Sequence, residues 1–150
     1  MSQDALSFGV DIPFIRHLGC ELLRFDSGHA EIHQAPKPEL LNSFAVTHGG
    51  VLMTLLDVTM ACAARSVCPE LGVVTIEMKT SFMRPAMPDA AAPLVVKGEL
   101  LHRTATMAFT QATVFDARGH ACAHATGTFK YLKRLATGTR SATALQVATD

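Results

Sequence analysis

Residues 51–67 read VLMTLLDVTMACAARSV, the longest apolar stretch in the chain. Leu52, Leu55, Leu56, Thr59 and Ala63 recur in it at helical spacing. Only Thr54, Asp57 and Thr59 interrupt its apolar character before Arg65. A helix that is apolar on nearly every side belongs inside a structure rather than on its surface. Pro69 and Gly72 then end it.

What surrounds this helix reads as strand. Four stretches follow, at 73–83, 94–103, 106–116 and 120–132. In the third, Phe109, Gln111, Thr113 and Phe115 alternate with Ala108, Thr110, Ala112 and Val114. A period of two is the mark of a half-buried antiparallel strand. The segment 116–119 (DARG) is a turn between the last two, and Pro85, Pro88 and Pro93 separate the first two. Upstream, 20–26 and 29–34 flank Ser27-Gly28 and read as a hairpin, preceded by a short helix at 12–18 that ends at Gly19. Strands segregated from one central helix predict an α+β fold. A sheet curled around that helix would bury it on all but one side. The pattern places a single domain at 1–133 and a small, polar tail at 134–150, with room for a short helix near Ala144.

Composition narrows the function classes. The chain has 150 residues, 49% of them hydrophobic, which suffices for one core without staples. Its formal net charge is zero, so nothing favours nucleic acid or an anionic membrane as partner. No apolar run approaches the ~18 residues of a membrane span. The N-terminal residues carry acids rather than a basic stretch before an apolar core, unlike a signal peptide, so a cytoplasmic protein is expected. Cys20, Cys62, Cys68 and Cys122 form no Cys-x-x-Cys pair and read as reduced thiols. His17/Cys20 and Cys122/His124 lack a second pair at zinc spacing, so no metal is expected.

Two features just before and within the helix carry chemistry. His48-Gly49-Gly50 stands where the helix begins. Glycine costs helix stability unless bare backbone N–H groups are wanted there. Such a helix start suits a negative oxygen, and can act as an oxyanion hole. Asp57 lies mid-helix among apolar residues, where an unpaired carboxylate is costly and needs a partner or a task. Asp57 is eight residues past Gly49, roughly 12 Å along one helix, so one helix cannot serve one carbonyl with both. Two antiparallel helices about a two-fold axis would bring Asp57 of one chain to Gly49 of another.

The order Asn42, six residues to His48-Gly49-Gly50, then Asp57, followed by GVVTIEMKTSFMRPA at 72–86, resembles the hotdog-fold thioesterases. The resemblance is specifically to the branch that includes the phenylacetate-pathway enzymes and thioesterase superfamily member 2, over roughly 10–133. The resemblance implies a hotdog fold and hydrolysis of acyl-CoA esters without metal or organic cofactor. It implies Asp57 as general base or nucleophile, and the Gly49 N–H as donor to the carbonyl from the other subunit. Asn42, His48 and Gly50 would shape that end, and Thr75 would orient the water. Arg84, Lys79, Arg103 and Lys130 are candidates for the CoA phosphates. The expected assembly is a dimer and, on the resemblance alone, a dimer of dimers. Met53, Met60, Met78, Met83, Met87 and Met107 are expected in the core or the acyl pocket.

Two other readings compete. A hotdog acyl-CoA dehydratase needs an acid/base pair in one site, usually a histidine with an acid, whereas here the acid sits on the helix behind His-Gly-Gly. A non-catalytic acyl-CoA sensor needs no helical aspartate and carries an added domain. The absence of a G-x-S-x-G sequence disfavours a serine esterase.

Overall fold

A histidine cap starts the central helix two residues earlier than hydropathy suggests. In the computed structural model, which describes residues 4–133, helix α2 spans Gly49–Arg65. His48 is its N-cap, with the ring Nδ1 accepting from the Gly50 N–H at 2.9 Å. At the other end the Ser66 hydroxyl donates to the Ala63 carbonyl at 2.8 Å, and its N–H closes on Cys62 at 2.9 Å. Between the caps, Leu52, Leu55, Leu56, Thr59, Met60, Ala63 and Ala64 are buried. That spacing is one stripe of a helix. The opposite side, with Met53, Thr54 and Asp57, is not buried.

The remaining elements are α1 (Pro13–Leu18), β1 (Cys20–Asp26), β2 (His29–Gln34), a short 3-10 turn (Pro38–Leu40), β3 (Gly72–Phe82), β4 (Leu94–Arg103), β5 (Met107–Phe115) and β6 (Ala121–Leu132). The predicted hairpin, strands and first helix agree with these to within a residue. Ser27 and Gly28 both take positive φ, the geometry that matches a two-residue turn to the twist of its strands. All six strands form one antiparallel sheet in the order β1-β2-β4-β5-β6-β3. The sheet wraps one long helix, as the hotdog expectation requires. The proposed tail at 134–150, with the turn of helix near Ala144, lies outside the described residues.

The sheet register explains how close the helix comes. Ala30 pairs with Gly98, Gly98 with Ala112, and Ala112 with Ala125. This row of the smallest side chains crosses four strands on the helix side of the sheet. A Cβ placed on Gly98 would stand 2.9 Å from both the Thr59 methyl and the Thr59 backbone oxygen. Thr59 is itself fully buried, its hydroxyl donating to the Leu55 carbonyl at 2.6 Å. Two residues along, Gly127 leaves space for the Met60 side chain. Larger residues flank the row. Ile32, Val96, Val114 and Phe129 are fully buried.

Gly98→Ala forces either α2 or β4 to shift, because one of the two clashing atoms is backbone. Overpacking of this kind costs about 1–3 kcal/mol. The expected fall in thermal midpoint is about 3–10 °C. Thr59→Ala should restore only part of it, because the Thr59 carbonyl remains. A Gly98→Ala protein that melts with the wild type in calorimetry would show that the helix does not sit this close.

Candidate active site

Asp57 escapes burial because of its place on the helix. It lies one residue past Leu56 and two before Thr59, off the buried stripe. The carboxylate is half-buried, and its Oδ1 accepts from the Thr75 hydroxyl at 2.7 Å. Thr75 reaches it because β3 pairs Thr75 with Phe129, a core residue, which points Thr75 to the helix side of the sheet. A bulge follows at once, between Thr75 and Glu77. Sequence reasoning expected Thr75 to orient a water. The structure shows it bonded to the acid itself, which fixes the carboxylate rotamer and leaves Oδ2 for another partner.

These two residues line an open groove of about 630 Å³. Met53, Thr54, Val58 and Ala61 of α2 form its floor with Asp57. Val73, Val74 and Met78 of β3 form one side with Thr75, and Phe129 lies beneath. Ile12, Phe14 and Ile15, from α1 and the residue before it, form the other. The Thr54 hydroxyl donates to the Gly50 carbonyl at 2.9 Å. With both threonine hydroxyls engaged, Asp57 is, among the described residues, the one ionisable side chain lining an apolar cleft.

At the start of α2 the loop is built by Asn42. Its side-chain oxygen accepts from the N–H of Phe44 at 2.9 Å and of Val46 at 3.3 Å, while its own N–H donates to the Val46 carbonyl. The turn drives Ala45 to a φ of 58°, a left-handed conformation that costs a non-glycine residue energy. Asn42 therefore shapes this end, and its oxygen is already used in doing so. His48 caps the helix through Nδ1. That bond occupies the Gly50 N–H, so Gly50 has no N–H to offer a substrate. Among the described residues the Gly49 N–H meets no acceptor. It is an orphan donor at a helix N-terminus. The Phe82 ring stands beside it, 3.4 Å from where a Gly49 Cβ would be. In one chain this donor and Asp57 remain apart, as the helix rise requires.

The basic candidates do not gather at the groove. Met78 lines it, so Lys79, its neighbour on β3, points to the convex face of the sheet. Lys130 follows Phe129 and shares that convex face. The Arg103 guanidinium lies over the Tyr131 ring at 4.9 Å. Arg84 is exposed just beyond β3. Sequence reasoning missed the contribution of α1. The signal available was Phe14, an apolar residue adjacent to the Ile15 and Leu18 that face the core. Met53 and Met78 line the groove, whereas Met60 is in the core, and Met83 and Met87 are exposed.

The thiols offer no rival nucleophile. Burial pushes Cys20 and Cys62 up to about 12, so both stay protonated at neutral pH. All four cysteines are free.

A comparison with family models matches residues 44–123 to the Thioesterase superfamily. The chain belongs to this superfamily. The matched span runs from the Asn42 loop through α2 and into β6, and so contains Gly49, Asp57 and Thr75. It makes the chain a thioester hydrolase in general terms. A protein of Saccharolobus solfataricus that carries an esterase name is 27% identical over 118 residues, 79% of this chain and 82% of that one. The PaaI protein of the Escherichia coli phenylacetic acid degradation operon superposes with a TM-score of 0.75 at 21% identity, covering 86% of this chain and 89% of its own. A hypothetical thioesterase of Streptococcus pneumoniae, solved with coenzyme A, superposes with a TM-score of 0.70 at 23% identity, covering 78% and 91%. At those identities the two structures show the fold, which is that of the thioesterase branch anticipated from the sequence.

Thr75→Val keeps the shape of β3 and removes the hydroxyl from Asp57. The carboxylate then loses its rotamer restraint, and thioester turnover is expected to fall about tenfold or more through kcat. An unchanged kcat in a protein with wild-type melting would show that Thr75 does not position the acid.

Proposed function

We propose that this chain hydrolyses acyl-CoA thioesters to a free acid and CoA, in a site shared by two subunits. Asp57, the one ionisable group among the described residues lining an apolar groove, carries the reading, held there by Thr75. Oδ2 takes the proton of a water as its oxygen attacks the thioester carbonyl. The negative oxygen that develops is stabilised by the Gly49 N–H of the partner subunit, a donor left free at a helix start. Collapse of the tetrahedral intermediate breaks the C–S bond, and the CoA sulfur leaves with the proton from Asp57. In the covalent variant, Asp57 attacks the carbonyl carbon, the C–S bond breaks as CoA leaves as its thiolate, and water then opens the anhydride to free acid and Asp57. Hydrolysis in ¹⁸O-water under single-turnover conditions separates the two, since only the anhydride route can place label in Asp57.

The surface supports the dimer that this reading needs. β3 ends the sheet as a long edge strand, and it exposes Val74, Ile76 and Phe82 with Met83 just beyond. An apolar open edge of this length is unstable against association unless something covers it. The open side of α2, with Met53 and Asp57, is next to it through the groove. A two-fold partner covering both would bring each Gly49 to the other Asp57. A dimer of dimers is the assembly we take from the resemblance. CoA as carrier agrees with the ligand of the Streptococcus pneumoniae neighbour. Arg84 is exposed beyond β3 and is the basic residue we favour for its phosphates, whereas Lys79 and Lys130 would need a convex-face route and the Arg103 guanidinium lies over Tyr131 on the helix side. Free thiols in all four cysteines fit a cytoplasmic location. Among the described residues no helix is long and apolar enough to cross a membrane.

Asp57→Asn should lower hydrolysis of acyl-CoA by about 100-fold or more while the protein still folds. Near wild-type turnover in the folded variant rejects the assignment. Mixed dimers test the sharing. Gly49 is the first helical residue, and His48 already has φ −60° and ψ 138°, a conformation that tolerates a following proline. Gly49→Pro therefore removes the free N–H with little cost to the helix. Each variant homodimer should be inactive. Co-refolded Asp57→Asn and Gly49→Pro chains should recover up to about a quarter of wild-type activity, because half the dimers are mixed and each holds one intact site. Silent mixed dimers, verified by mass, would place the whole site in one subunit.

A further inference from the structure

We infer that α1 makes the groove selective for hydrocarbon acyl groups, with Phe14 as the specificity-determining residue. This rests on the thioesterase reading of Asp57. The volume of about 630 Å³ is ordinary for a ligand site, so room alone does not choose the acyl group. The chemistry of the walls does. Away from Asp57 and Thr75 the groove presents Val58, Ala61, Val73, Met78 and Phe129, and its remaining hydroxyl, on Thr54, is bonded back to the helix. Among the described residues lining it, none away from Asp57 and Thr75 offers a free hydrogen-bond partner to a polar substituent on the acyl group.

The outer wall is fixed from outside the catalytic elements. Ile15 and Leu18 anchor α1 in the core. Pro13 starts the helix, and Gly19 ends it in a left-handed turn at φ 73°. The Lys37 ammonium donates to the His17 carbonyl and holds the helix end from another loop. Phe14 follows from this anchoring. In the first turn of this helix, Phe14 stands 57% exposed while still lining the groove. An aromatic ring on a rigid helix, half in solvent beside an apolar cleft, becomes covered when a hydrocarbon chain lies along it. A chain too short to reach α1 gains nothing from it.

The test compares kcat/KM for acetyl-, hexanoyl-, octanoyl-, phenylacetyl- and 4-hydroxyphenylacetyl-CoA. Wild-type values should rise about threefold to fourfold per methylene buried. Phenylacetyl-CoA should exceed its hydroxylated analogue by about tenfold or more. Phe14→Ala should lower octanoyl-CoA at least about fivefold more than acetyl-CoA, and Phe14→Leu should restore most of the difference. Binding of S-octyl-CoA and S-ethyl-CoA, thioethers that cannot be hydrolysed, to the Asp57→Asn protein repeats the comparison without chemistry. If acyl-CoAs are hydrolysed but Phe14→Ala affects all lengths equally, the inference is overturned and the thioesterase reading stands. If nothing is hydrolysed yet S-octyl-CoA binds in a Phe14-dependent way, the groove keeps its assignment and the thioesterase reading falls. Loss of both signals removes both.

Discussion

The contact of Thr59 with Gly98 governs the rest of the molecule. A helix normally rides on a sheet with side chains between them. Here α2 lies on a row made of Ala30, Gly98, Ala112 and Ala125, and its backbone comes within reach of a strand that has no Cβ to offer. Such an approach is possible only if the row stays in register across four strands. It also fixes the helix in rotation, because Thr59 must face the row. Once Thr59 is down, Leu52, Leu55, Leu56 and Ala63 go down with it by helical periodicity. Asp57, two residues from Thr59 and so on the far side, must stay up. The catalytic candidate is thus positioned by a packing contact with which it shares no atom.

The other half of the site is placed by hydrogen bonds rather than packing. Asn42 folds the preceding loop and holds Ala45 in a strained left-handed turn. His48 then takes the Gly50 N–H, leaving that of Gly49 alone. These capping bonds decide which of two adjacent glycines keeps a free N–H. A run of two glycines offers flexibility in sequence, yet in the fold one donor is consumed and one is presented. The strain at Ala45 is the sort of cost that is retained when a loop must deliver a defined geometry.

How much of this could be read from sequence depends on whether the signal is local. Hairpin, strands and buried helix were legible because period and turn chemistry are local. The helix start lay two residues earlier than the apolar run because a histidine cap and two glycines have no hydropathic signature. Asp57 stood out as a charge among apolar neighbours, and Gly49 as a costly residue at a helix start. The pairing of Thr75 with Asp57 needed the β3–β6 register, which no single segment contains. The same register sent Lys79 and Lys130 to the convex face, where composition alone had made them candidates for the phosphates. The α1 wall was illegible for a related reason. Phe14 comes to line the groove through where α1 docks, with Gly19 ending the helix and Lys37, far along the chain, holding that end.

A single helix that carries both an oxyanion donor and an acid cannot use them together, and this constrains how such a site is built. Shortening the separation would put Asp57 in the first turn, where it would compete for the same orphan N–H groups as a cap. The donor would then be neutralised by its own acid. Keeping them roughly 12 Å apart preserves both, at the cost of needing a second copy. The antiparallel pairing proposed above would also cover the exposed edge of β3 and the open side of α2, so the arrangement that would complete the chemistry would also bury the exposed Val74, Ile76 and Phe82. Assembly and catalysis would therefore be coupled through the same residues. A monomer would be deficient in both respects at once, with an acid facing water and a donor facing nothing.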